Sequence, residues 1–250
     1  MTIQINKINT NYLDNGSGQN IIILPGWGSS INVMKKMFDH LSENNRVIIL
    51  DLPGFGETDA LKNSWSLNDY VLFVIEFMNK LNIKTPIIIG HSFGGRIAIK
   101  LASEYHDLKI DRVILIDSAG IKKVIKSSLK SNILKISKKT FSKVAPKLVE
   151  KAKNKIGSAD YRNASPIMKA TLVNVVNEDL TANLSEIKAS TLLIWGENDL
   201  ETPISNAEIM RAHIPDAGIV LVPNAGHFSF LDNPNLVHAA INSFISNGGK

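Results

Sequence analysis

The chain has 250 residues, 44% of them hydrophobic and 20% charged, which suits one soluble α/β unit with an insertion. It contains no cysteine, which excludes disulfides, thiolate chemistry and cysteine-based zinc sites. The net charge of +5 is unevenly distributed: residues 121–157 hold twelve lysines against Glu150, so the remainder is net negative. No helix-turn-helix or RNA-binding signature accompanies the lysines, so no nucleic-acid partner is expected. The first twenty residues lack an apolar signal core, and no apolar run approaches the roughly 20 residues that span a bilayer. The expectation is a cytoplasmic protein without a transmembrane segment.

Taken in order, Ile3 to Leu13 alternate loosely as one or two strands, followed by a turn at Asp14-Asn15-Gly16-Ser17-Gly18. Ile21 to Leu24 is a continuous apolar run, as in a strand buried on both faces, and it ends in Pro25-Gly26-Trp27-Gly28-Ser29-Ser30. A helix is predicted from Asn32 to Leu41 and a strand from Val47 to Leu50, closed by Asp51-Leu52-Pro53-Gly54-Phe55-Gly56. That glycine- and proline-rich turn reads as architectural. Ser66-x-x-Asp69 forms a capping box ahead of an amphipathic helix through Tyr70, Val71, Val74, Phe77, Met78 and Leu81.

Ile87-Ile88-Ile89 then stop at Gly90-His91-Ser92-Phe93-Gly94, and helical spacing begins at Ile97, Ala98, Leu101 and Ala102. This is strand, sharp turn and helix with a serine at the apex. After a further strand at Val113 to Ile116 the alternation breaks. Residues 121–185 contain no convincing strand; Val124, Ile125, Leu129 and Ile133, and then Phe141, Val144, Ala145, Leu148, Val149 and Ala152, keep helical spacing. Pro166 opens another helix through Met168, Leu172, Val175 and Val176. Strands resume at Thr191 to Trp195 and at Ile219 to Val222, with helices from Ile204 to His213 and after Asn233-Pro234. The order implies a mainly parallel sheet with helices on both faces.

In such sheets sites form at the carboxyl ends of strands, and Ser92, Asp199 and His227 each lie just past one. A serine hydroxyl needs a base, and the base needs a partner that fixes its tautomer. Ser92 is assigned as nucleophile, His227 as general base and then acid, and Asp199 as the orienting carboxylate, in the chain order Ser…Asp…His. The backbone N–H groups of Trp27 and Phe93 are the expected oxyanion donors. Asp51 and Asp117 also follow strands and remain alternatives for the carboxylate.

Five stretches carry a resemblance: Pro25-Gly26-Trp27-Gly28, Asp51 to Gly56, Gly90-His91-Ser92-Phe93-Gly94-Gly95, Trp195-Gly196-Glu197-Asn198-Asp199 and Ala225-Gly226-His227-Phe228. With them the chain resembles an α/β-hydrolase with a helical cap, similar to small bacterial carboxylesterases. The resemblance implies a hydrolase core at 1–120 and 186–250 and a lysine-rich cap at 121–185. It also favours Asp199, in its glycine-bounded turn, over Asp51 and Asp117. The implied activity is serine-dependent cleavage of a small or medium carboxylic ester through an acyl-enzyme, with no cofactor and no metal. Hydrolysis of meta-cleavage diketones, or ligand binding without turnover, are the alternatives. Relatives of the diketone type carry Trp after the histidine and Asn before the serine, where this chain has Phe228 and His91. Many family members have His-Gly where this chain has Pro25-Gly26. Ser92 excludes the aspartate-nucleophile chemistry of dehalogenases and epoxide hydrolases.

The remaining candidates have plainer readings. His91 reads as a packing or supporting residue, Glu197 as a loop residue, and Phe55 first as part of the architectural turn and secondarily as a pocket wall. His40, His106, His213 and His238 lack ligand spacing. The lysines read first as the solvated face of the cap helices, and secondarily as a weak contact for anionic substrates or surfaces. A monomer or homodimer is expected.

Overall fold

The computed structural model describes residues 1–122 and 164–246. Eight strands form one sheet in the order β1-β2-β4-β3-β5-β6-β7-β8. They are β1 Thr2–Ile5, β2 Ile8–Asn15, β3 Asn20–Leu24, β4 Arg46–Leu50, β5 Ile87–His91, β6 Arg112–Ile116, β7 Ser190–Gly196 and β8 Ala217–Val222. β1 pairs antiparallel with β2, and β2 antiparallel with β4; every other pairing is parallel.

The helices are α1 Ile31–Ser42, α2 Leu67–Lys80, α3 Phe93–Glu104, α4 Pro166–Asn177, α5 Ile204–His213, α6 Ser229–Asp232 and α7 Pro234–Ser246. Alternation along each central strand sends neighbouring side chains to opposite faces. Ile22, Ile48, Ile88, Val113 and Leu193 join one core with Tyr70, Phe77, Ile97, Leu101 and Met210. Ile21, Ile49, Ile89, Ile114 and Ile194 join the other, with Met34, Phe38, Val237 and Ile241. Both faces of the sheet are therefore roofed, which is why these strands read as unbroken apolar runs.

Several boundaries differ from expectation for local reasons. Asp14 and Asn15 belong to β2, not to a turn, because they pair with Ile48 and Val47, and Asp14 accepts two hydrogen bonds from Arg46 at 2.6 and 3.0 Å. β5 runs on through Gly90 and His91, whose ladder partners are Leu115 and Ile116. The Ser66 capping box forms as read: Ser66 N–H donates to Asp69 at 2.7 Å, and Asp69 N–H donates to Ser66 Oγ.

The predicted helices at Val124 to Ala152 lie outside the described residues. In the described parts of 121–185 there is no strand, only α4 and a 3-10 turn at Thr181–Glu186. α4 starts at Pro166 under a Ser165 cap and buries Thr171 and Val175; Val176 points outward, against the stripe read from spacing. It is fastened to the core at its middle and just past its C-terminal end. Trp65 N–H donates to Thr171 Oγ1 at 3.0 Å, and beyond its last turn Glu178 takes Lys100 and Arg96 from α3, the former at 2.8 Å. Among the described residues no helix is long and apolar enough to cross a membrane.

The carboxyl edge of the sheet is tied by two buried aspartates. Asp51, after β4, accepts the N–H groups of Ile31 and Glu57 and the Asn11 side-chain amide. Asp117, after β6, accepts Gly196 N–H at 2.7 Å and the Ser229 N–H and hydroxyl at 3.1 and 2.5 Å. It thus links the ends of β6 and β7 to the loop after β8. Burial outweighs these bonds and pushes the Asp117 carboxyl up to about 6. Asp117→Ala strands two buried backbone donors, and its unfolding free energy in a urea titration at pH 7 is expected to fall by about 3 kcal/mol. A change within about 0.5 kcal/mol would show that the tie is not a stabilising one.

Candidate active site

One residue, Ser92, makes the corner between β5 and α3, with φ 49° and ψ −110°. A side chain at positive φ is strained and persists only where its surroundings hold it. Here Ser92 N–H donates to the Ile116 carbonyl, while the Ser92 carbonyl accepts from Gly95 and Ala119 N–H, all at 3.0–3.1 Å. The corner lies so close to neighbouring backbone that a Cβ on Gly94 would sit 1.9 Å from the Leu24 oxygen, and one on Gly90 2.6 Å from the Gly94 oxygen. The glycine spacing noticed in the sequence is thus a steric requirement.

Three strand ends bring the expected residues together. His227 Nε2 is 2.9 Å from Ser92 Oγ, and His227 Nδ1 is 2.9 Å from Asp199 Oδ2. Neither alternative carboxylate reaches the imidazole by a hydrogen bond: Asp51 faces α1 and Asn11, and Asp117 faces Gly196 and Ser229. Asp199 is enclosed. Burial opposes its charge, but hydrogen bonds from His227, the Thr202 hydroxyl and Thr202 N–H outweigh that and hold it below the ordinary carboxylate value. For His227, burial favours the neutral ring, whereas the Asp199 hydrogen bond and charge, with smaller help from Glu201 and Asp117, raise it above the ordinary histidine value.

Trp27 lies in the turn after β3, and Phe93 is the first residue of α3. Among the described residues neither N–H makes a backbone hydrogen bond in the connecting segments, and Phe93 at the helix start has no intrahelical acceptor. Edge-to-face rings fix the two loops against each other: Phe55 to Trp27 at 4.8 Å, Trp27 to Phe93 at 5.5 Å and Phe93 to Tyr70 at 5.0 Å.

Beside Trp27 opens a cavity of about 450 Å³, lined mainly by Trp27, Gly54, Phe55, Leu61, Ser165 and Met168. Phe55, read first as architectural, is therefore also a wall. A cleft of similar size, about 460 Å³, lies at the amino ends of β5, β6 and β7 beside Tyr105, Lys109 and Lys188, on the side of the sheet away from Ser92.

Sequence reasoning missed Thr202 and Glu201. Thr202 holds Asp199, its hydroxyl 2.6 Å from Oδ2 and 3.3 Å from His227 Nδ1. A signal existed, since an aspartate in a turn commonly binds N–H groups two and three residues on, as Asp199 does. Glu201 Oε2 stands 3.6 Å from His227 Nε2 with its side chain largely in water. No spacing rule marks it. Among the described residues no three metal-ligating side chains cluster.

Comparison with known proteins agrees with this architecture. The chain is 29% identical to a pimeloyl-[acyl-carrier protein] methyl ester esterase of Shewanella woodyi, over 87% of this chain and 90% of that one. It is 24% identical to a 2-hydroxy-6-oxo-6-phenylhexa-2,4-dienoate hydrolase of Burkholderia cepacia, over 94% and 90%. An esterase structure from Exiguobacterium antarcticum superposes with a TM-score of 0.78 at 22% identity, covering 98% of each chain. Residues 170–250 match a family described as TAP-like protein, and residues 19–155 match the profile of the alpha/beta hydrolase fold. The profile covers more than half of the sequence, and with the sheet order and the Ser92 corner it identifies the chain as a member of the alpha/beta hydrolase family.

Proposed function

We propose that this hydrolase cleaves carboxylic esters of small or medium acyl groups through an acyl-enzyme on Ser92. The observation that carries the reading is the unbroken hydrogen-bonded relay from Asp199 through His227 to Ser92. Asp199 accepts from Nδ1–H, which leaves Nε2 as the acceptor for the serine proton. As Ser92 Oγ attacks the ester carbonyl, that proton passes to Nε2, and the new oxyanion turns toward the N–H groups of Trp27 and Phe93. Each such donor supplies about 3 kcal/mol in related chemistry. The imidazolium then protonates the departing alkoxide, and water repeats the sequence on the acyl-enzyme.

The cavity beside Trp27 is the proposed acyl site, walled on one side by Ser165 and Met168 at the start of α4, which falls within the proposed cap at 121–185. Its walls are mainly apolar, which favours a short aliphatic or aromatic acyl group. Support for an ester substrate comes from the Gly26-Trp27-Gly28 turn and from the similarity to a methyl ester esterase. Carbon–carbon hydrolysis of diketones would use the same relay. If no ester were hydrolysed in a Ser92-dependent way while a meta-cleavage diketone was, that chemistry would replace the ester reading.

The direct test is a series of p-nitrophenyl esters of rising acyl length, with Ser92→Ala beside the parent protein. The variant is expected to lose about 10⁴-fold or more in kcat while keeping its unfolding midpoint. Unchanged turnover would remove Ser92 from the reaction. The base must be neutral to act, so kcat/KM should rise with pH through a limb lying above the ordinary histidine value of 6.5. Asp199→Asn removes the charge that raises His227, so the limb should move to lower pH as kcat drops by about 10⁴. A limb that stays in place would mean that another group titrates. Met168→Ala enlarges the cavity, and the ratio of kcat/KM for octanoyl over butanoyl ester should rise roughly tenfold; an unaltered ratio would put the acyl group elsewhere.

A further inference from the structure

We infer that His91 is a positioning residue, whose Nε2–H grips the main-chain carbonyl of His227 and holds that imidazole in line with Ser92. The inference rests on the Ser92–His227 reading above.

His91 is the last residue of β5 and is 1% exposed. Its Nε2 lies 2.8 Å from the His227 carbonyl oxygen. A carbonyl can only accept, so the ring must carry its proton on Nε2. Burial pushes His91 down to about 4, which keeps it neutral and leaves Nδ1 as a bare lone pair. That lone pair is buried and has no hydrogen-bond partner among the described residues. A residue serving only to fill space would be better as leucine or phenylalanine, which bring no unpaired acceptor into the core. The polar atom that does find a partner is Nε2, and its partner belongs to the proposed base.

The ring also sits where the three proposed working parts converge. It is covalently next to Ser92. It lies 5.1 Å, centroid to centroid, from the His227 ring and 5.0 Å from Phe230, on the loop and short helix that present His227. On its other side it supports the turn carrying Trp27: a Cβ on Gly26 would sit 2.8 Å from His91 Nδ1 and 3.2 Å from Cε1. Glycine at 26 is therefore matched to histidine at 91. Nucleophile, base and oxyanion turn are indexed against one buried ring. The relay accounts for the tautomer and direction of His227; the main chain on either side is held by Gly226 N–H to Asp232 and Ser229 N–H to Asp117, and the His91 bond fixes the carbonyl of His227 itself.

Glutamine and methionine separate the donor from the bulk. The Gln amide nitrogen is as many bonds from Cα as histidine Nε2 and can donate to the same carbonyl; Met fills similar space and cannot. Parent, His91→Gln, His91→Met and Ser92→Ala are compared for labelling rate with a fluorophosphonate probe, for kcat and KM on the best ester, and for thermal midpoint. The expected result is Ser92-dependent labelling, with His91→Gln within about threefold of the parent. His91→Met should label and turn over about 10- to 100-fold more slowly, with KM nearly unchanged, as for a reacting group displaced by about an ångström. A Met variant that loses rate only in proportion to its folded fraction, or Gln and Met variants of equal rate, would overturn the His91 assignment alone. A parent protein that the probe does not label at Ser92 would overturn the nucleophile reading, and the assignment with it. A ¹⁵N spectrum of the parent gives an activity-independent check: His91 protonated on Nδ1 would refute the grip.

Discussion

The carboxyl edge of the sheet is organised around a backbone that has been forced through a corner. Ser92 is held at positive φ by the Ile116 carbonyl and by N–H groups from Gly95 and Ala119, and that strain is tolerated because fully buried strands on either side leave the chain no other path. The corner leaves the serine half-buried while its neighbours His91 and Phe93 are buried. The half-buried residue is the proposed nucleophile, and the buried pair packs against the segments that surround it.

Around this corner the electrostatics are arranged in layers of decreasing burial. Asp199 is enclosed and kept ionised by hydrogen bonds that outweigh the cost of desolvation. His227 is partly covered and biased toward its charged form. Glu201 is in water, where its charge is largely screened. In the proposed mechanism, a charge created on His227 meets a buried anion on one side and a solvent-exposed one on the other. Asp117, although close in sequence logic to a relay carboxylate, has been drawn into binding the backbone of the two loops that carry Asp199 and His227. Two aspartates at adjacent strand ends thus face different partners, Asp199 the His227 imidazole and Asp117 the backbone of both loops.

Much of this was legible in the amino-acid sequence because the fold repeats one signal. Isoleucine runs such as Ile21–Ile23 and Ile87–Ile89 end in glycine-bearing turns, and a strand buried on both faces can hardly be written otherwise. Ser92, Asp199 and His227 were legible because each follows such a run. The failures share a cause too. Asp14 and Asn15 look like turn residues until Arg46 and β4 are beside them, and Phe55 looks architectural until α4 comes over it from more than a hundred residues away. Glu201 and the grip of His91 are contacts between distant loops, for which local periodicity carries no information, whereas the Thr202 bond to Asp199 is a local turn pattern that hydrophobic spacing alone does not reveal.

The chain order of the relay has a consequence for biosynthesis. Ser92 and His227 are 135 residues apart, and at a synthesis rate of roughly 5–20 residues per second the serine leaves the peptidyl centre roughly 7–27 s before its base. For most of that interval β7 and β8 do not yet exist, and Ser229, which binds Asp117, is missing throughout it, so the carboxyl edge of the sheet is unfinished. In the mechanism proposed above, a nascent chain carries its nucleophile without the base that activates it, so the onset of hydrolysis would serve as a clock for the completion of the fold.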